Sequence, residues 1–244
     1  MVSALPERTS ARTSSGTSPR TSLVVLDMAG TTVADGGLVA QAFSAAAQRL
    51  GVAPDSAGHA RMLDHVRATM GESKISVFRH LFDDETTAQR ANTAFEAAYG
   101  ELVDGGCIAP VPGAREAIET MREAGLTTVL TTGFARVTQD AILTALGWRD
   151  LADLTLCPAD AGGRGRPYPD LLLTALLRTR AADSVRQIAA VGDTSSDMLA
   201  GHRAGAGLVA GVLTGAHRAQ TLWDSGATHV LTSVAELPSL IGGE

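Results

Sequence analysis

Lysine is nearly missing from this chain. Lys and Arg together number 20 in 244 residues, and the sequence assigns 19 of these to Arg and one, Lys74, to Lys. Where Arg meets almost every cationic need, the lone Lys marks a candidate position at which Arg will not serve. Cysteine is scarce as well. Cys107 and Cys157 cannot make a disulfide framework, so a cytoplasmic setting is the simpler expectation. No uncharged apolar run reaches the roughly 18 residues of a membrane-spanning helix. The opening stretch lacks the apolar core, roughly 7–15 residues long, of a secretory signal. There is no excess of positive charge: the net charge is −6, which argues against nucleic acid as a partner. What is present suffices for a sizeable core, with 45% hydrophobic and 19% charged residues. The length fits one large domain, or a core domain carrying a small insertion.

Residues 1–21 are rich in Ser, Thr, Arg and Pro, with Glu7 the single acid, and read as a disordered tail. A transit peptide has similar composition, but no amphipathic helix supports that reading here. From residue 22 the pattern changes. Leu23-Val24-Val25-Leu26 is a short apolar run ending in Asp27, followed by Ala29-Gly30-Thr31-Thr32. Similar runs at 126–130, 187–191 and 208–213 lead into Thr131-Thr132-Gly133, Gly192-Asp193-Thr194 and Thr214-Gly215, with weaker ones at 154–157 and 229–231. Helical patterns over roughly 113–124, 135–146, 168–180, 195–205 and 217–224 separate them. This alternation predicts an α/β fold: a Rossmann-like parallel sheet flanked by helices. Residues 38–108 are helical only and read as a small all-helical cap inserted after the first strand. The catalytic core then comprises 22–37 and 109–244.

Ligands of open α/β sheets bind at the carboxyl ends of the strands. Asp27, Thr131 or Thr132, and Asp193 all stand at such ends. Carboxylates that meet there repel unless a cation lies between them, and an all-oxygen donor set suits Mg²⁺. Asp193 reads as a direct ligand, and Asp197, one helical turn on, as one acting through water or another residue. The hydroxyls of Thr131, Thr132, Thr194, Ser195 and Ser196, with nearby helix-start N–H groups, suit a phosphoryl group. Arg166, at a helix entry, can hold a phosphate and tie down an aspartate nucleophile.

Asp27, the Thr strand end, Arg166 and Gly192-Asp193-Thr194-Ser195-Ser196-Asp197, in that order, resemble the haloacid dehalogenase superfamily over about residues 22–240. The resemblance implies Mg²⁺-dependent attack of Asp27 on phosphorus. Most phosphatases of that superfamily carry a general-acid Asp two residues after the nucleophile. Here that position is Ala29, which cannot donate a proton, although its carbonyl can still bind Mg²⁺. The Asp-x-Ala-Gly-Thr-Thr form is similar to the phosphonatase-like branch, typified by phosphonoacetaldehyde hydrolase, which breaks a C–P bond with a cap lysine imine as electron sink. Its Met-Gly-x-x-Lys segment matches Met70-Gly71-Glu72-Ser73-Lys74.

An imine needs an amine that can lose its proton, which Arg cannot do. Met70, Ile75 and Phe78, with Arg79 nearby, are the expected means of lowering the Lys74 pKa. Two positions depart from the branch: Val77 replaces a proton-handling His, and Phe134 replaces an aromatic hydroxyl. His65 and His80 are candidate substitutes for the missing His. The resemblance implies a small organophosphonate or phosphate substrate, no nucleic acid or membrane partner, and allows a homodimer. The rival readings are a phosphomonoesterase of the same fold and a non-catalytic phosphoryl-ligand binder.

Overall fold

The computed structural model describes residues 20–243. The tail expected over 1–21 lies outside the described residues except for Arg20 and Thr21. Thr21 is already buried, so the core begins there. Strand β1 (Leu23–Asp27) is buried along its whole length. That is why its apolar residues do not alternate: both faces of a parallel sheet are covered. Four helices follow, α1 (Leu38–Arg49), α2 (Ala57–Ala68), α3 (Lys74–Leu81) and α4 (Glu85–Asp104). The chain then returns through α5 (Ala114–Glu123), β2 (Thr127–Thr131), α6 (Arg136–Ala145), β3 (Leu154–Leu156) and α7 (Asp170–Thr179). It ends with β4 (Ile188–Gly192), α8 (Ser195–Ala204), β5 (Leu208–Val212), α9 (Ala219–Asp224), β6 (His229–Leu231) and α10 (Leu237–Gly242). The sequence pattern does not anticipate α10; its six residues are too few for periodicity, and it is placed by burying Leu237 and Ile241.

All six strands are parallel, in the order β3-β2-β1-β4-β5-β6. The order reverses between β1 and β4, where neighbouring crossovers leave in opposite directions and open a crevice at the strands' carboxyl ends. Asp27 ends β1, and Asp193 follows β4. The fold therefore carries both carboxylates to the one place where an open α/β sheet has room for a ligand.

The four helices after β1 pack on one another, and α4 also packs on α6 of the core. Ala88, Ala91, Phe95, Ala98 and Tyr99 line the buried face of α4 at helical spacing. Phe43 of α1 lies 4.8 Å from Phe78 of α3 and 4.7 Å from Phe95, measured between ring centroids. Tyr99 in turn meets Phe134 of the core at 4.7 Å. One apolar cluster thus runs from these cap rings to Val24 and Leu26 of β1. Among the described residues, no helix is long and apolar enough to cross a membrane.

Because cap and core share this cluster, Phe95→Ala is expected to lower stability by about 3–5 kcal/mol in urea unfolding. The wild type should unfold in one transition; two separate transitions would show that the cap has a core of its own.

Candidate active site

Asp27 is held by its own strand and by a tight turn. Gly30 N–H donates to the Val33 carbonyl at 2.7 Å, and Thr32 Oγ1 donates to the Asp27 carbonyl at 2.9 Å. Arg166 comes in from the loop before α7 and places Nη1 2.6 Å from Asp27 Oδ1. The same nitrogen pairs with Asp197 Oδ1. The other oxygen of Asp197 accepts the Thr194 N–H at 3.0 Å, which caps α8. Asp197 stands behind Arg166 and does not line the cavity around Asp27. Asp193 Oδ2 accepts the Ala216 N–H at 2.7 Å, and its Oδ1 accepts the Thr31 hydroxyl at 3.2 Å.

Asp27, Asp193 and Asp197 each offer a carboxylate oxygen within 4.8 Å of the others. All three are buried. Burial pushes the Asp27 carboxyl up to about 6, with Arg166 opposing the rise and Asp197 adding to it. Burial pushes Asp193 to about 8, helped by the charges of Asp197 and Asp27. Crowded buried carboxylates of this kind favour a shared cation.

The cap completes the site through residues 70–74. Lys74 N–H donates to the Gly133 carbonyl at 3.2 Å, joining the start of α3 to the loop after β2. The approach is close. A Cβ on Gly133 would lie 2.5 Å from the Glu72 carbonyl oxygen, and one on Gly71, whose φ is +87°, would lie 2.3 Å from Thr194 Oγ1. Met70, Gly71 and Lys74 from the cap then share a cavity with Asp27, Ala29, Thr132, Phe134, Arg166, Asp193 and Thr194 from the core. It measures about 20 Å³, room for about one water. A phosphoryl group is larger and would enter only if cap and core parted.

Lys74 is only 6% exposed, and its Nζ lies 5.1 Å from the centre of the Phe134 ring. Burial, reinforced by the charge of Arg166, pulls its amine down to about 8 against the attraction of Asp27, Asp35 and Asp193. About a tenth of such an amine is neutral at pH 7. An all-oxygen carboxylate cluster, a buried Arg and a buried neutralisable amine meet in one cavity. That set equips the crevice for phosphoryl chemistry.

Comparison with known proteins agrees. A model of the haloacid dehalogenase-like hydrolase family matches residues 21–205. The chain belongs to that family. It is 31% identical over 205 residues to a phosphonoacetaldehyde hydrolase of Bacillus cereus, covering 79% of this chain and 75% of that protein. It is 28% identical over 210 residues to one of Parabacteroides distasonis, covering 73% and 77%. The crystal structure of a hydrolase from Pseudomonas syringae superposes with a TM-score of 0.78 at 24% identity, covering 92% of this chain and 99% of that one.

In this haloacid dehalogenase-like hydrolase the structure separates the two threonines. Thr132 lines the cavity, whereas the Thr131 hydroxyl donates to the Leu26 carbonyl at 3.3 Å and is turned into the sheet. Arg79 does not act on Lys74, contrary to expectation; it pairs with Glu85 on the surface, and the neighbouring positive charge is Arg166. Phe78 is buried in the apolar cluster behind α3, and Val77 lies in it too. His65 and His80 stack on each other at 4.4 Å and neither lines the cavity. Ser195 uses its N–H on His217 Nδ1 at 2.8 Å, and Ser196 is buried in the first turn of α8.

Sequence reasoning missed the loop after β5. Ala216 and His217 wrap Asp193 there, with the His217 N–H on the Asp193 carbonyl at 3.3 Å, and Thr214 Oγ1 donates to the Gly30 carbonyl at 2.7 Å. The available signal was Thr214-Gly215, a polar strand end like the other three.

Lys74 titrates near 8 in the fold and near 10.5 when free, so below pH 8 the fold must bury a charge that the unfolded chain leaves solvated. Lys74→Met should therefore stabilise the hydrolase at pH 7 by on the order of 2–3 kcal/mol. The gain should shrink as pH rises towards 10.5. Urea unfolding at pH 7 and pH 10 checks this; an unchanged midpoint at pH 7 would mean a solvated amine.

Proposed function

We propose that this hydrolase cleaves the C–P bond of a 2-oxoalkylphosphonate, with Asp27 as nucleophile and Lys74 as the imine-forming amine. The observation that carries the reading is the sole lysine of the chain, buried in the same cavity as Asp27. The names of the two curated relatives support it. Neutral Lys74 adds to the substrate carbonyl and water leaves, forming a protonated imine. Asp27 attacks phosphorus, the C–P electrons move into the imine as an enamine, and the phosphoryl group passes to Asp27. Protonation of the enamine at carbon and hydrolysis of the imine release the carbonyl product and restore Lys74. Water then hydrolyses the aspartyl-phosphate.

This order of events suits Ala29. An enamine leaving group needs no proton at the moment the bond breaks, so the general acid of an ester phosphatase is dispensable. Arg166 holds Asp27 in place and offers its remaining N–H groups, including a buried Nε without a partner, to phosphoryl oxygens. Thr132 supports the phosphoryl group from the other side of the cavity. The carboxylates of Asp27 and Asp193 with the Ala29 carbonyl fit Mg²⁺, and Asp197 steadies them through Arg166. Bound there, the ion would neutralise phosphoryl oxygens as negative charge builds up. The reading takes a small organophosphonate as the partner, in the cytoplasm, with a homodimer allowed.

A second reading, a phosphomonoesterase with Lys74 as a charge contact, draws on one observation. His65 and His80 stay outside the cavity, and Phe134 and Val77 offer no proton relay for imine formation.

Lys74→Arg separates the two readings. With Mg²⁺ and phosphonoacetaldehyde, phosphate release is expected to fall by roughly 10³-fold or more. A borohydride-trapped adduct, mapped to Lys74 by peptide mass, should vanish as well. Phosphate release from esters that survives Lys74→Arg would favour the esterase. In the wild type, kcat/KM should rise between pH 6 and 8 as Lys74 becomes neutral, then level off. A profile flat across that range would count against Lys74 as the reacting amine.

A further inference from the structure

Lys74 borders a second cavity. With Gly133 and Phe134 it forms the wall of a space of about 180 Å³ that runs between cap and core. Ser73, Ile75 and Asn92 line it from the cap; Ala135, Pro158, Ala159 and Gly163 line it from the core. The volume corresponds to roughly six water-sized groups. The cavity around Asp27, which shares these three lining residues, holds only about 20 Å³.

We propose that this second cavity receives the substituent on the far side of the substrate carbonyl, and that the preferred substrate is a ketone, a 2-oxoalkylphosphonate with a short unbranched alkyl chain, rather than an aldehyde. The inference rests on the imine reading above. An imine carbon on Lys74 carries two further groups. One is the CH₂–P unit, which must point to Asp27. The other is hydrogen in an aldehyde and carbon in a ketone. Once opened to admit the phosphoryl group, the Asp27 cavity is taken up by the CH₂–P unit, whereas the second cavity already has space for a carbon chain. Its walls also decide the chemistry. Ile75, the Phe134 ring, Ala135, Pro158 and Ala159 are apolar, and the polar side chains beside Lys74 are the Ser73 hydroxyl and the Asn92 amide, the latter already donating to Glu96. Apart from Lys74 itself no cation lines it, so a second carboxylate or phosphate on the substrate would go unpaired. Methylene groups match these walls.

The test is a chain-length series on the full-length Mg²⁺-loaded enzyme: phosphonoacetaldehyde, then 2-oxopropyl-, 2-oxobutyl- and 2-oxopentylphosphonate. Wild-type kcat/KM is expected to climb by about fourfold per added methylene until the cavity is full. Ala159→Leu, at an exposed position, and Ala135→Leu, half-buried, should each narrow the space. Each should cut the ratio of 2-oxopentyl- to phosphonoacetaldehyde kcat/KM by about tenfold or more. If kcat/KM falls from the aldehyde onward, or if both variants slow every substrate alike as an entrance would, the proposal is overturned while the imine reading stands. If no member releases phosphate and borohydride traps no adduct on Lys74, the imine reading itself has failed and the proposal falls with it.

Discussion

Three carboxylates and two cations buried at one end of a parallel sheet set the terms for everything around them. Asp27, Asp193 and Asp197 are each nearly inaccessible, as are Arg166 and Lys74. Burial is the largest single influence on each of the four that shift clearly, Asp27, Asp193, Lys74 and Arg166, and it sets the direction of the shift for all but Arg166. Arg166 stays charged because Asp197 and Asp27 outweigh its desolvation. Lys74 does not hold its proton so firmly, because burial disfavours its charge and Arg166 repels it. A neutral Lys74 would leave Arg166 as the one cation beside three carboxylates, a charge imbalance of the kind a divalent cation relieves.

The cap is the second half of this arrangement. It reaches the core through residues 70–74, where Gly71 and Gly133 let backbone and Thr194 approach more closely than any side chain would permit. Phe134 joins the two halves. Its ring packs on Tyr99 and Phe95 of the cap and faces the Lys74 amine. The position therefore contributes apolar cover and attachment of the cap. Val77 acts in the same direction, adding to the apolar cluster one turn after Lys74. Both side chains add apolar surface around α3, and neither carries a titratable group.

The loop after β5 supports the carboxylates from outside the crevice. Ala216 and His217 bind Asp193 by main-chain N–H groups, while the His217 ring caps Ser195 at the start of α8. A helix start, a strand end and a loop some twenty residues downstream are thereby fastened together around one carboxylate.

Much of this was legible in the residues alone. Unbroken apolar runs mark β1, β2, β4 and β5 because a parallel sheet is covered on both faces, and periodicity 3.6 marks the helices between them. Asp27, Asp193 and Arg166 stand out because polar groups closing apolar strands and opening helices gather at the sheet's carboxyl edge, and Lys74 stands out because it has no fellow lysine. Local pattern determined that much, since it depends only on neighbours along the chain. Tertiary structure decided the rest: that Thr132 rather than Thr131 faces the cavity, that Arg166 rather than Arg79 lies beside Lys74, that Asp197 turns back to hold Arg166, and that His65 and His80 face each other. Each of these depends on which way a side chain turns among groups distant in sequence, and only the packing of cap against core settles that direction.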